Sequence, residues 1–184
     1  RLVPQKGFDL LLNAFAQIAP RFPGWTLVVW GEGPDREALE NLADRLGLQG
    51  QVRFPGVSPK PAGWIESTDI FVLSSRFEGW GIVLLEALAA GLPCVSLDCH
   101  WGPAEMIAHD RNGLLVGAED VDGLAGAMAR LMQDQALCEA LGEAARQDMT
   151  RFAPAKVMAL WEEVLRDALG SQRPQPTSRL APAA

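Results

Sequence analysis

Asp69-Ile70-Phe71-Val72-Leu73-Ser74-Ser75 leads through Arg76-Phe77 into Glu78-Gly79-Trp80-Gly81-Ile82-Val83-Leu84-Leu85-Glu86, with Ala87-Leu88-Ala89-Ala90-Gly91-Leu92-Pro93 beyond it. The first segment is apolar enough to be a strand buried on both faces. Two glycines then open a loop, and an apolar helical pattern follows whose one acid, Glu86, stands eight residues after Glu78. Strand, glycine loop and helix together aim free backbone N–H groups and the positive end of a helix at an anion. Glu78 falls at the mouth of that loop, and a carboxylate there repels an anion unless it faces something else. Sugar hydroxyls are the natural partner, because an ionised carboxylate only accepts hydrogen bonds and a diol supplies two donors. The stretch points to a phosphorylated, hydroxyl-rich ligand such as a sugar nucleotide.

Working outward, the order of elements is alternating. Phe8, Leu11, Leu12, Phe15 and Ile18 form the apolar stripe of a helix that follows Gly7 and closes near Pro20 and Pro23. Residues 25–30 read as a buried strand that ends in Gly31-Glu32-Gly33-Pro34-Asp35-Arg36. Arg36 stands where a dinucleotide fingerprint needs its third glycine, so a nicotinamide site is disfavoured. A helix with Leu39, Leu42, Ala43 and Leu46 inward should stop at Gly47. Short strands are expected at 52–54, 93–97 and 114–116, a short helix at 62–67, and longer helices at 121–132, 136–149 and 154–169. Strands alternating with helices predict an α/β fold: a doubly wound, mainly parallel, Rossmann-like sheet with its ligand at the carboxyl ends of the strands. Residues 1–170 are drawn as one domain, and 171–184, with three prolines and little to bury, as a disordered tail.

Composition narrows the function. A net charge of −7 without a long basic run argues against a nucleic-acid partner. No apolar run approaches the ~20 residues needed to cross a bilayer. Cys94, Cys99 and Cys138 have no zinc-ligand spacing and are expected as reduced thiols. Asp-x-Asp is missing from the glycine-loop region, so no metal ligand is expected there. His100 is a lone loop histidine, and a structural or solvated role outweighs a proton shuttle.

The acid-x7-acid stretch Glu78 to Glu86 with its glycines, together with Arg1-Leu2-Val3-Pro4-Gln5-Lys6-Gly7, resembles retaining glycosyltransferases of family 4. The resemblance runs over roughly residues 1–169 and implies the C-terminal, donor-binding half of a GT-B fold. It implies that Glu86 holds the nucleotide ribose and Glu78 faces the donor sugar. The backbone of Gly79, Trp80, Gly81 and Ile82 would reach sugar and phosphates, while Arg1 and Lys6 grip the diphosphate. Trp80 departs from the phenylalanine common in relatives but keeps an aromatic ring. Backbone near Val57 would read the base, and Gly31 would lie near the donor. The loop Asp98-Cys99-His100-Trp101-Gly102-Pro103-Ala104-Glu105 resembles a branch making bacterial polysaccharides and lipid-linked glycans.

The expected function is therefore transfer of a sugar from a nucleotide diphosphate sugar, with a UDP-sugar as first choice, to a glycan or lipid-linked acceptor. No cofactor is expected, and Arg1, Lys6 and helix amides would take the place of a metal. The expected partners are the donor and an N-terminal acceptor-binding domain of the same protein, because Arg1-Leu2-Val3 reads as the end of a truncated strand. The whole protein is expected in the cytoplasm, with a peripheral place at the inner face of the membrane supplied by its other half. Another GT-B enzyme, such as a sugar-nucleotide epimerase or a phosphorylase, and a non-catalytic sugar-nucleotide-binding subunit stay open as alternatives.

Overall fold

The computed structural model describes residues 1–170; the expected tail at 171–184 lies outside them. The chain divides into two compact units, one spanning Arg1–Met149 and a second that begins at Thr150, where the sequence suggested one domain over 1–170.

In the first unit, strands β1 (Leu27–Trp30), β2 (Val52–Gly56), β3 (Phe71–Leu73), β4 (Cys94–Leu97) and β5 (Leu114–Val116) alternate with helices. These are α1 (Phe8–Ile18), α2 (Arg36–Arg45), α3 (Ile82–Ala89), the short α4 (Pro103–Met106), α5 (Val121–Gln133) and α6 (Gln135–Met149). Every pairing is parallel, as short apolar strands separated by helices require. The pairing forms two sheets, β1-β2 and β3-β4-β5, rather than one. Arg1-Leu2-Val3, expected as the end of a strand, is not one; Leu2 is tied instead to the turn after β1, its N–H donating to the Glu32 carbonyl at 2.9 Å and its carbonyl accepting from the Asp35 N–H at 3.2 Å.

One core nevertheless spans both sheets. Leu2, Leu12, Phe15, Val29, Val95, Leu97, Leu114, Leu124 and Leu141 are buried in the same cluster. Helix α1 packs on α5, α5 lies on β4 and β5, and α3 packs on α6 while touching β3 and β4. Strand β4 is buried at all four positions, the mark of a central strand in a sheet covered by helices. The strand predicted at 69–75 is regular only over Phe71–Leu73, because Ser74 and Ser75 have left the ladder for side-chain work described below. The helix predicted at 62–67 is a single 3-10 turn, Ile65–Ser67.

The second unit contains a 3-10 turn, Thr150–Phe152, and helix α7, Pro154–Gly170. Met158, Leu160, Trp161, Val164, Leu165 and Leu169 are exposed on α7. Among the described residues no helix is long and apolar enough to cross a membrane.

Candidate donor site

Site residues gather where parallel strands end. Strand β3 runs out through Ser74 and Ser75 to Glu78 and the glycine loop; β1 leads into Gly31, β2 into Val57 and β4 into Asp98. A cavity of about 390 Å³ opens there, lined by Lys6, Glu78, Gly79, Trp80, Gly81, Ile82 and Val83. Six residues 72 or more positions away from Lys6 thus share its walls, and the sequence pattern alone had grouped them by resemblance only.

The segment carrying Lys6 is fixed by backbone as much as by side chains. Pro4–Lys6 is a 3-10 turn that Gly7 ends in the left-handed region, φ +60°, and Gly7 also begins α1. A β-carbon on Gly7 would stand 2.0 Å from the Ser74 carbonyl oxygen, so glycine alone lets the turn lie this close to the end of β3. Ser74 Oγ donates to the Lys6 carbonyl at 2.9 Å, the Arg76 N–H to the Gln5 carbonyl at 2.8 Å, and Gln5 Nε2 to the Phe77 carbonyl at 2.9 Å. Arg76 adds a two-pronged bond to Asp9, Nη1 to Oδ1 at 2.8 Å and Nη2 to Oδ2 at 2.7 Å, and donates to the Pro4 carbonyl at 2.9 Å. The guanidinium beside Asp9 holds that carboxyl below the usual range against the opposing effect of burial.

Glu78 is 8 % exposed and accepts two short bonds on the same oxygen: Lys6 Nζ at 2.7 Å and Ser75 Oγ at 2.6 Å to Oε1. A carboxylate this buried needs such partners, and it has both a cation and a hydroxyl. Oε2 accepts no bond from the described residues, and two of the three Lys6 ammonium protons are likewise uncommitted. The pair therefore presents a free acceptor and free donors side by side, which suits a ligand with hydroxyls next to an anion. Ser75, buried to 1 % exposure, was missed from the sequence, where it passed for strand. Its signal was a polar side chain three residues before the acid, at the end of an otherwise apolar run.

Gly81 begins α3 at φ +86° and supplies no side-chain cap. The first-turn amides of Ile82 and Val83, at the cavity wall, thus meet no capping side chain from the position before the helix. Glu86 is exposed, one turn on from Ile82 and Val83 on the same helical face, but does not itself line the cavity. Its platform is the buried side of α3, formed by Leu84, Ala87 and Leu88, with Leu85 half-buried. Gly31 and β2 meet through a bond from the Gly31 N–H to the Gly56 carbonyl, 2.7 Å, which places Val57, exposed, next to Gly31. Arg1 adjoins this corner: its backbone nitrogen lies 3.7 Å from where a Gly31 β-carbon would be. Gly31, Val57 and Arg1 form one group and Lys6, Glu78 and residues 79–82 another. The second is the better defined.

The loop after β4 packs against the glycine loop. Phe77 bridges to His100, the Glu78 N–H reaches the His100 carbonyl at 3.4 Å, and Gly102 packs so closely that a β-carbon there would meet the Trp80 carbonyl oxygen at 2.0 Å. Burial first, and the nearby Glu78 carboxylate second, push the Cys99 thiol up. All three cysteines are free thiols, and no cluster of metal-ligating side chains occurs among the described residues.

A parallel α/β fold with a glycine loop, an uncapped helix start and an acid–cation pair at its strand ends suits a ligand that carries an anion beside hydroxyls. The chain belongs to the group 1 glycosyl transferases, whose family model matches residues 1–148. It is 44% identical over 154 residues to an exopolysaccharide phosphotransferase of Streptomyces coelicolor, covering 83% of this chain and 16% of that protein. It is 36% identical to a GDP-mannose-dependent alpha-(1-6)-phosphatidylinositol monomannoside mannosyltransferase of Mycobacterium tuberculosis, covering 82% of this chain and 41% of that protein. Among solved structures, HepE of Anabaena in complex with UDP superimposes with a TM-score of 0.83 at 25% identity, over 91% of this chain and 47% of that one. The chain thus spans less than half the length of each of these three proteins.

Proposed function

We propose that the chain is the donor-binding half of a retaining, family 4 glycosyltransferase that takes a UDP-sugar. The observation that carries the reading is the Lys6–Glu78 pair, bonded at 2.7 Å in the wall of the glycine-loop cavity. An anion alone would be served by Lys6 without a buried carboxylate; a sugar alone would need no cation. A sugar joined to a diphosphate uses both. In this reading Lys6 and Arg1 meet the diphosphate with the amides of Gly79, Trp80, Gly81 and Ile82, and no metal is needed to neutralise it. Glu86 accepts from the ribose hydroxyls, and Gly31 and Val57 lie towards the base. The bond from the anomeric carbon to the diphosphate oxygen breaks while the acceptor oxygen bonds on the same face and passes its proton to that leaving oxygen, so configuration is kept. Fixed cations aimed at the leaving diphosphate lower that barrier because its charge grows in the transition state. Glu78 faces the positive charge that develops on the sugar.

The HepE complex supports UDP as the nucleotide, and the mycobacterial relative's name supports GDP as its competitor. Two readings of different class compete with it: another GT-B enzyme, such as a sugar-nucleotide epimerase or a phosphorylase, and a non-catalytic sugar-nucleotide-binding subunit. Calorimetric titration of UDP, GDP and uridine into wild type and Lys6→Ala tests the reading. A charge-assisted contact of roughly 1.5–3 kcal/mol predicts about a ten- to hundred-fold loss for UDP with uridine unchanged. Equal losses for UDP and uridine would mean that Lys6 serves the fold or the base instead. Binding of inorganic phosphate in place of nucleotides would favour the phosphorylase.

A further inference from the structure

Trp101 is placed in a way the fold itself does not explain. It sits in the left-handed region at φ +68°, where a bulky side chain is strained. It is also 72 % exposed, so the indole buries little in return. The residues on either side are fixed to the donor loop: His100 through the Phe77 bridge and its bond from Glu78, Gly102 through its close approach to Trp80. His100 stands beside the indole, ring centroids 6.1 Å apart and tilted by 36°. Asp98, two residues before His100, is exposed and gives the same loop a hydrogen-bond acceptor. An open aromatic face with an imidazole beside it and a carboxylate on the same loop is chemistry that takes a pyranose, whose C–H face stacks on the ring while its hydroxyls bond polar groups. The donor cavity is walled by Lys6 and residues 78–83, and Trp101 lies outside that lining, beside it.

We propose that Trp101 is an acceptor subsite: its indole stacks on a pyranose ring of the glycan that receives the sugar. The proposal rests on the donor-site reading for the word acceptor, but the ring contact can be tested without it. In a ¹H–¹⁵N spectrum of the 184-residue chain, the Trp101 indole N–H is the signal that disappears in Trp101→Phe. Titration with methyl glucoside, galactoside, mannoside and N-acetylglucosaminide, at tens of millimolar as weak stacking requires, should move that signal for at least one of them. Glycerol at equal concentration should not move it, and saturating UDP should not abolish the shift. Trp101→Gly should raise Tm by about 2–4 °C, since it relieves strain, while losing the glycoside response. UDP affinity, read separately, should be unchanged in that variant. No indole shift with any glycoside would overturn the proposal, as would a lower Tm in Trp101→Gly, which would make Trp101 structural. A shift caused only by UDP-sugars, with their affinity lost in the variant, would overturn it in favour of a donor contact. If UDP fails to bind the wild type while glycosides still move Trp101, the donor reading fails and the ring contact stands.

Discussion

At the scale of single residues, Ser75 and Glu78 work as a pair. Ser75 Oγ fixes Oε1 of Glu78, so that the carboxylate has one committed oxygen and one open. Ser75→Ala should leave UDP affinity unchanged and weaken a UDP-sugar by about three- to tenfold, the worth of one charge-assisted bond partly replaced by water. In a Glu78→Gln background the same change should have almost no further effect, because the two residues act as a unit. Calorimetry on the four proteins reads this directly, and independent, additive losses would contradict it. Asp9 makes a second residue-level prediction. Its folded pKa is lowered by Arg76, so its ion pair contributes stability above the unfolded value of about 3.8 and loses it as pH falls through the lower folded value. The Tm difference between wild type and Asp9→Asn should therefore be constant from pH 5 to 8 and shrink below pH 4. A difference independent of pH down to 2 would show that the Asp9–Arg76 contact acts by packing.

At the scale of elements, the glycine positions separate close approach from simple turn geometry. Gly7 and Gly102 both have positive φ, and both would drive a β-carbon to 2.0 Å from a backbone carbonyl oxygen, of Ser74 and Trp80 respectively. Gly47 has a similar φ, +72°, with open space around it. Alanine at Gly47 should cost about 1–2 kcal/mol, the left-handed penalty alone. Alanine at Gly7 or Gly102 should cost more, about 3 kcal/mol or above, since backbone must move. Urea denaturation of the three variants ranks them, and equal losses would refute the close-approach argument. These elements also show what a sequence can tell. The helices at 8–18, 121–133 and 135–149 were legible because each carries a continuous apolar stripe that only one periodicity satisfies. The glycine-loop stretch was legible because strand, loop and helix are contiguous in it. The two-sheet pairing was not, since strands of three to five residues encode burial but not which neighbour they bond. Nor were Ser75 and the Asp9–Arg76 clamp: their partners matter only once β3 and the turn at Pro4–Lys6 lie together, across 67 positions for Arg76 and Asp9. Glu86 was correctly placed on a helix, but its exposure outside the cavity wall depends on how α3 turns, which the all-round apolar pattern of 82–89 does not fix.

At the scale of the molecule, the chain covers 41% of its mycobacterial relative and 47% of HepE. Groups that bring an acceptor to the anomeric carbon are then expected partly outside it. The 184-residue chain should bind donor nucleotide and yet move no measurable label from a UDP-sugar to an added glycan; robust transfer by the chain alone would contradict the half-site account. The central claim, a nucleotide-sugar site divided between two glutamates, is tested most directly by calorimetric titration of UDP, its 2′,3′-dideoxy analogue and a UDP-sugar into Glu86→Gln and Glu78→Gln. Glu86→Gln should weaken UDP and the UDP-sugar by about ten-fold or more and the dideoxy analogue much less, because the proposed role of that carboxylate is to accept from the ribose hydroxyls. Glu78→Gln should leave UDP near wild type and weaken the UDP-sugar. If Glu86→Gln binds all three ligands like wild type, the ribose assignment is wrong and the nucleotide-sugar site with it.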